Sequence, residues 1–228
     1  TNVCVGWHAI EFMLWGQDFN PDGPGARSVQ DFVDAPHAER RRRYLTVITE
    51  LLVRHLNQLV RAWAPADKTN YRAGFARKIE PALRKILTGM VVLSGFELGG
   101  ERTAVALETK DQEDEHSCFS DTTHLDLLAN QAGIRAVSDG TEQRPGVLAI
   151  AQIIAPDLAA DIGRKLEATT KALRAIPTPF DQTLRAAKDS SAHRKLEAAV
   201  TALEAQTDRL AALALALGFE VPLAPGGR

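Results

Sequence analysis

The sequence predicts an all-α protein, and three observations support that fold class. Only 6% of the 228 residues are aromatic. The sequence lacks the alternating Val, Ile and Thr runs that are typical of strands. Ala, Leu, Glu, Arg and Lys instead fill long segments in which apolar residues recur every three or four positions. With 45% hydrophobic and 25% charged residues, the chain can bury one large core or two modest ones.

The predicted helices follow one another with short connections. The first covers the apolar segment 6–16, and the turn-rich stretch 17–30 follows it as an ordinary connector or as a cover for a cleft. Pro36 and Pro81 suit first-turn positions of long helices, and Gly218 suits a helix end. The later helices are expected at about 36–63, 81–110, 121–137, 146–155, 156–174, 180–187 and 191–217.

This number of helices, with such short connections, predicts two antiparallel helical bundles. The Pro-containing segment 64–70 is the best boundary, so we expect the first bundle in residues 1–69 and the second in 70–228. A net charge of -2 predicts no general attraction to nucleic acid. No apolar run approaches the roughly 20 residues that cross a bilayer, so we expect no transmembrane segment.

The first helix carries one imidazole and one carboxylate in an apolar segment. His8 and Glu11 are three residues apart and therefore lie about 60° from each other on one face. A buried polar pair needs partners, which predicts a metal, a polar network or a ligand cleft here. A plain hydrogen-bonded pair is the alternative. Apolar residues cover the other directions of the wheel and predict burial on all sides: Trp7, Ile10, Phe12, Met13, Leu14 and Trp15.

A second concentration of polar residues begins near the end of the helix predicted over 81–110. Glu97, Glu101 and Glu108 fall within about 40° of one another on an α-helical wheel, either as a carboxylate line or as a solvated stripe. Asp121 is a candidate ligand or the N-cap of the next helix. The segment that follows Glu108 adds metal-ligating residue types, among them Glu115, His116, Asp121 and His124.

Both concentrations resemble the motifs of imelysin-like proteins, also called the insulin-cleaving metallopeptidase family. The Gly-Trp-His-Ala-Ile-Glu sequence at 6–11 is similar to the Gly-x-His-x-x-Glu signature of that family. A second block resembles the conserved block that follows in the same order. It comprises 87–89 (Leu-Thr-Gly), 93–97 (Leu-Ser-Gly-Phe-Glu), 100–102 (Gly-Glu-Arg) and 111–121 (Asp-Gln-Glu-Asp-Glu-His-Ser-Cys-Phe-Ser-Asp).

The resemblance implies an all-α fold of two bundle-like halves with a site where the two blocks meet. It also implies an extracytoplasmic protein, either periplasmic or associated with the outer membrane. Family members carry further helices before the His-x-x-Glu segment, so we expect N-terminal helices to be missing from this sequence. The family is named for a peptidase but is similar to components of bacterial iron-uptake systems.

The ligand set that the resemblance implies starts from His8 and Glu11. A catalytic zinc usually has three protein ligands and a water, so a third ligand would come from His116, His124, Asp121 or Glu115, with Glu97 and Glu101 as further candidates. Imidazole and carboxylate together suit iron, zinc or manganese, of which iron and zinc are the candidates here. The His-Glu-x-x-His motif of zinc peptidases is absent from the sequence.

The two cysteines flank the two blocks. Cys4 lies one helical turn before His8, and Cys118 lies between His116 and Asp121. If both blocks line one cleft in an oxidising periplasm, the resemblance implies a Cys4–Cys118 disulfide. Two buried thiols that act as small apolar groups are the alternative.

Three functional hypotheses follow. The first is a protein that binds a metal or a small metal-bearing ligand and works with other iron-uptake proteins. The second is a metallopeptidase that uses His8 as ligand and Glu11 as catalytic residue. The third is a helical interaction module without metal.

Overall fold

The computed structural model describes residues 4–20 and 22–223, which are mainly α-helical, and it confirms the all-α fold class. Gly140–Thr141 and Arg144–Pro145 add a small antiparallel hairpin in which Gly140 pairs with Pro145. The α-helices are α1 (Trp7–Trp15), α2 (Ala38–Trp63), α3 (Tyr71–Arg77), α4 (Ile79–Val92), α5 (Val105–Thr109), α6 (Thr123–Asp139), α7 (Val147–Ile154), α8 (Pro156–Arg174), α9 (Phe180–Arg185) and α10 (Ser191–Ala216).

Local sequence signals explain several of these boundaries. The Asn70 side chain caps α3 by accepting a hydrogen bond from the Ala73 N–H at 3.0 Å. The Ser190 hydroxyl caps α10 in the same way, with the His193 N–H as donor at 3.1 Å. Pro156 begins α8, where its missing N–H costs no helical hydrogen bond. The starts of α8 and α10 agree with the sequence prediction, whereas α3 was not predicted.

The long helix predicted over 81–110 is not uniform, because Leu93–Ala104 is π-helical. Hydrogen bonds in a π-helix join residues five apart rather than four. The Thr103 hydroxyl follows this spacing and donates to the Leu98 carbonyl at 2.7 Å. The wheel positions that aligned Glu97 with Glu101 and Glu108 assume α-helical spacing, so that alignment does not hold across this segment.

The chain forms two compact units. Unit 1 comprises the chain up to Ala82 together with Ser117–Asp121, and unit 2 comprises Leu83–His116 and the chain from Thr122 onward. We predicted the division at residue 69, which is 13 residues too early. The physical reason is that α3 still packs on α2, since the Trp63 ring lies 5.4 Å from the rings of both Tyr71 and Phe75.

Unit 1 has a small core. Ala9 and Met13 of α1 and Ile48 of α2 are its buried apolar residues. The prediction that α1 is buried on all sides is therefore wrong, because only one side of this helix packs against α2. Trp7, at 66% exposure, lies on the other side. Apolar residues on all sides of a helical wheel do not show how many other elements pack against that helix.

Unit 2 has a much larger core. Helix α10 packs against α8 and the π-helical segment, while α6 packs against α7 and α8. The largest fully buried side chains of this unit include Leu87, Leu98, Leu127, Ile134, Ile162, Leu166, Phe180, Leu184, Leu196, Leu203 and Leu210. Within the described residues, no helix is both long and apolar enough to cross a membrane.

Candidate functional site

The predicted pair on α1 forms a hydrogen-bonded chain within unit 1. His8 Nδ1 donates to Glu11 Oε2 at 2.8 Å. The other carboxylate oxygen, Oε1, accepts from the Ser120 backbone N–H at 3.0 Å and from the Ser120 hydroxyl at 2.6 Å. The Glu11 side chain is only 11% exposed, whereas the His8 side chain is 47% exposed. The carboxylate is thus enclosed, and the imidazole that it orients is presented at the surface.

Two further contacts hold the segment Ser117–Asp121 within unit 1. The rings of Phe119 and Phe12 meet edge to face, with centroids 5.1 Å apart. The Phe119 carbonyl also accepts a hydrogen bond from the Gly25 N–H at 2.9 Å. A side chain at position 25 would place its Cβ 2.7 Å from the Trp15 carbonyl oxygen, so the chain needs glycine there. Ser120, the partner of Glu11, is therefore held in place because the neighbouring Phe119 contacts both Phe12 and Gly25.

The electrostatics of this chain favour an ionised Glu11. Partial burial opposes ionisation, but the hydrogen bonds from His8 and Ser120 outweigh it and lower the pKa of the Glu11 carboxyl below its ordinary value of 4.5. An ionised carboxylate can only accept hydrogen bonds. The proton shared with His8 therefore belongs to Nδ1 of the imidazole.

The loop after α1, which we predicted as a connector or a cover, lines an open cleft of about 570 Å³ in unit 1. Arg27 is one of its walls. This side chain forms an ion pair with Asp31 at 3.0 Å, donates to the Phe12 carbonyl at 3.3 Å and stacks over the Phe12 ring. It thereby places a cation at the C-terminal end of α1, where the helix dipole favours positive charge.

Unit 2 contains the predicted glutamate ligands, and two of them have protein partners. Glu97 forms an ion pair with Arg102 at 3.0 Å. Glu101 is exposed. Glu115 is buried, and its Oε2 accepts a hydrogen bond from the Thr123 hydroxyl at 3.1 Å.

The predicted histidine ligands also lie in unit 2. His116 Nδ1 and Asp126 Oδ2 are 3.0 Å apart. His124 Nδ1 is buried and has no hydrogen-bond partner among the described residues. Asp121, in unit 1, is buried and has a left-handed backbone with φ of 53°. It is not the N-cap of α6, because Thr122 holds that position.

The structure brings His8 and Glu11 into direct contact. Among the described residues, no group of three or more His, Cys, Asp or Glu side chains is arranged to hold a metal ion. The predicted disulfide is also not formed. Cys4 is exposed while Cys118 is buried, and no bond joins these two described residues. Bonded cysteines need Cβ atoms within about 4.5 Å, and nearness of two sequence motifs does not fix that distance.

Sequence reasoning missed a buried polar cluster in unit 2, which we call the glutamine cluster: Ser94, Gln131, Gln206 and Thr207. Gln131 and Gln206 exchange amide hydrogen bonds of 2.7 and 3.0 Å. Gln206 Nε2 and the Thr207 hydroxyl both contact Ser94 Oγ at 2.9 Å. Ser94 lies in the second motif block. Its position in that block does not indicate hydrogen-bond partners more than 100 residues further along the chain.

Comparison with known proteins identifies the family of this chain. The imelysin family model matches residues 1–210. The chain belongs to the imelysin family. The crystal structure of a Parabacteroides distasonis protein, provisionally described as an iron-regulated protein A precursor, has the same fold as this imelysin, with a TM-score of 0.72 and 18% identity. The match covers 93% of this chain and 63% of that protein. A search of curated proteins found no match.

Proposed function

We propose that this imelysin is an extracytoplasmic binding protein for a metal or a metal-bearing ligand, and that it serves iron uptake. The observation that carries the proposal is the chain from Ser120 through Glu11 to His8. Histidines that coordinate metals usually donate their second ring N–H to a carboxylate, which fixes the ring and raises its basicity. His8 and Glu11 have this arrangement.

The same geometry supports binding over peptide cleavage. A general base must hold and deprotonate a water molecule. Both Glu11 oxygens already accept hydrogen bonds, from His8 on one side and from Ser120 on the other. We therefore assign His8 as the ligand, with iron or zinc as candidate metals, and Glu11 as the residue that positions it.

Three other considerations bear on the context of the proposal. Membership of the imelysin family favours a periplasmic or outer-membrane location. The provisional description of the structural neighbour as iron-regulated favours iron uptake, with other iron-uptake proteins as partners. Glu97 and Glu115 have protein partners of their own, so they enter the proposal as supporting residues and not as ligands.

The test combines metal binding with peptide cleavage. Zinc and iron binding to the wild type would be measured by calorimetry and metal analysis, beside His8→Ala, Glu11→Gln and the control His55→Ala, whose histidine is exposed on α2 of the same unit. We expect His8→Ala to abolish binding and Glu11→Gln to weaken it about 10- to 100-fold. The control should bind as the wild type does.

Two outcomes would overturn the proposal. Peptide cleavage that a chelator stops and Glu11→Gln abolishes would make the protein a metallopeptidase. Absence of metal and chelate binding, together with partner binding that His8→Ala leaves unchanged, would make it an interaction module.

A further inference from the structure

Unit 2 contains a cavity that has no role in the proposed function. It has a volume of about 420 Å³ and lies between α5 and the first half of α10. Pockets of this size commonly take small organic molecules. The residues that line it belong to unit 2, so the cavity is independent of the chain from Ser120 through Glu11 to His8.

A buried histidine in the wall of this cavity lacks the hydrogen bonds that a buried imidazole normally makes. His193 is only 4% exposed, and its Nδ1 has no hydrogen-bond partner among the described residues. Its Nε2 lies 3.4 Å from Glu197 Oε1, which is longer than a good hydrogen bond. Buried polar groups are nearly always hydrogen-bonded. Because Glu197 also lines the cavity, a ligand bound there can supply a bond to the Nε2 edge of the ring.

The two ends of the cavity differ in charge. Lys188 lies three residues before the start of α10, and the Lys110 ammonium group lies 3.4 Å from the Ala186 carbonyl. Both lysines are therefore at the end where His193 lies. Glu204, in contrast, follows His193 by eleven residues, which places it about 16 Å further along the axis of α10.

The remaining side chains of the cavity favour an organic cation. Leu107 and Val200 supply apolar surface against which an aliphatic chain can pack. Glu108 and Glu197 bring the carboxylates of the cavity to three, against two lysines, so the cavity favours a ligand with net positive charge. The described residues include no group of three or more His, Cys, Asp or Glu side chains able to hold a metal ion, which argues against a metal here.

We infer that this cavity binds a basic amino acid, such as arginine or lysine. The ligand carboxylate accepts hydrogen bonds from Lys188 and His193, the α-ammonium group lies beside Glu197, and the side-chain cation pairs with Glu204. Such an amino acid is about as long as two extended residues, about 7 Å. A charge-assisted hydrogen bond adds about 2.8 Å at each end. The flexible side chain of Glu204 covers the rest of the distance.

The probe for this inference is L-arginine, titrated against the full chain by calorimetry. Agmatine, which lacks the carboxylate, and citrulline, in which a neutral urea group replaces the guanidinium group, are the comparison ligands. We expect L-arginine to bind at least tenfold more tightly than either of them, because each comparison ligand loses the charged group that one end of the cavity recognises.

Two variants test the two ends separately. Glu204→Gln should weaken arginine and agmatine at least fivefold and leave citrulline unchanged. Lys188→Met should weaken arginine and citrulline at least fivefold and leave agmatine unchanged. Glu142→Gln is the matched control, since Glu142 is exposed in unit 2 and does not line the cavity. Circular dichroism of each variant confirms that it is folded.

Proton NMR gives a readout that needs no variant of the binding groups. The imidazole signals of His193, assigned by their loss in His193→Gln, should shift when L-arginine is added. The signals of His55, which is exposed in unit 1, should not shift.

The contrary outcomes are distinct from those of the proposed function. Agmatine or citrulline binding as tight as that of arginine would overturn the inference. Absence of arginine and lysine binding at millimolar concentrations would overturn it, as would arginine binding that Glu204→Gln and Lys188→Met leave unchanged. His8→Ala should bind arginine as the wild type does, so failure of this inference leaves the proposed function standing.

Discussion

Two polar clusters, one in each unit, are built from similar hydrogen bonds in opposite surroundings. In unit 1, Glu11 joins the half-exposed imidazole of His8 to Ser120. In unit 2, the glutamine cluster is closed on all sides, since its four side chains are at most 7% exposed.

The difference lies in what each arrangement leaves available. The glutamine cluster uses its donors and acceptors within the protein, and Gln131 also reaches the Leu166 carbonyl at 3.2 Å. Fully satisfied buried networks of this kind fix the packing of the elements that they join. In unit 1, the Glu11 carboxylate instead orients the half-exposed imidazole of His8. Burial, rather than residue type, distinguishes the closed cluster of unit 2 from the cluster of unit 1 that we propose as a binding site.

The largest effect on stability should come from Gln206→Leu. The leucine would leave the Gln131 carbonyl oxygen without its donor in a buried site, and an unsatisfied buried group costs about 1 to 3 kcal/mol. We expect the free energy of unfolding to fall by about 2 kcal/mol or more in urea denaturation followed by circular dichroism. Gln182→Leu on α9 is the control, since Gln182 is exposed, and equal losses in both variants would contradict the prediction.

Gly95→Ala should have the next largest effect. The new Cβ would lie 2.7 Å from Thr207 Cγ2, and Thr207 cannot move aside because its hydroxyl bonds Ser94 and the Leu203 carbonyl. Overpacking of this kind costs about 1 to 3 kcal/mol. Adding Thr207→Ser removes the methyl group while keeping the hydroxyl, so the double variant should recover part of the loss in the same denaturation experiment.

Gly89→Ala provides the matched control for that experiment. Position 89 lies in α4 of the same unit, and a Cβ there would meet no atom within 4 Å. The alanine should therefore be neutral or stabilising by up to about 1 kcal/mol, through helix propensity alone. A loss as large as that of Gly95→Ala would show that the contact with Thr207 is not the cause.

The sequence predicted regular elements well because their signals are local. The start of α8 at Pro156 and that of α10 after Ser190 follow from one proline and one capping serine. The π-helical segment was not predicted, because apolar spacing does not distinguish it from an α-helix and its contacts are with distant residues. Gly95 allows close contact with Thr207, and Ser94 bonds residues 112 and 113 positions away.

The candidate site was predictable in part, because local contacts follow from the sequence and distant ones do not. The His8–Glu11 contact follows from helical spacing of three residues, and the structure has it at 2.8 Å. Ser120 could not be identified as the partner of Glu11, because it lies 109 positions away. The burial of α1 was overestimated, since apolar composition records what a helix can bury and not what covers it.

Glu11→Gln should have a smaller effect that depends on pH. The folded-state pKa of Glu11 lies below its ordinary value of 4.5, so the unfolded chain takes up the proton first as the pH falls. The stabilisation by the ionised carboxylate is thus complete well above pH 4.5 and is lost as the pH falls through the lowered folded-state pKa. At neutral pH the variant should lose about 1 kcal/mol, because Ser120 can still donate to the amide oxygen.

The measurement for Glu11→Gln compares the wild type and the variant at pH 7, 5 and 3. Trp7, Trp15 and Trp63 all lie in unit 1, so tryptophan fluorescence reports the unfolding of that unit. We expect the difference between the two proteins to shrink as the pH falls. Glu108→Gln, at an exposed position of unit 2, is the control. A difference that is constant over this range would mean that the charge of Glu11 does not stabilise unit 1.

His8→Ala should have the smallest effect on stability. With the imidazole gone, Glu11 keeps both hydrogen bonds from Ser120, and the half-exposed histidine contributes little apolar burial. We expect the free energy of unfolding to change by no more than about 0.5 kcal/mol, the range of ordinary surface substitutions. Tryptophan-monitored denaturation checks this value. A loss as large as that of Gln206→Leu would mean that His8 stabilises unit 1 as the glutamine cluster stabilises unit 2. The proposed difference between the two clusters would then be wrong.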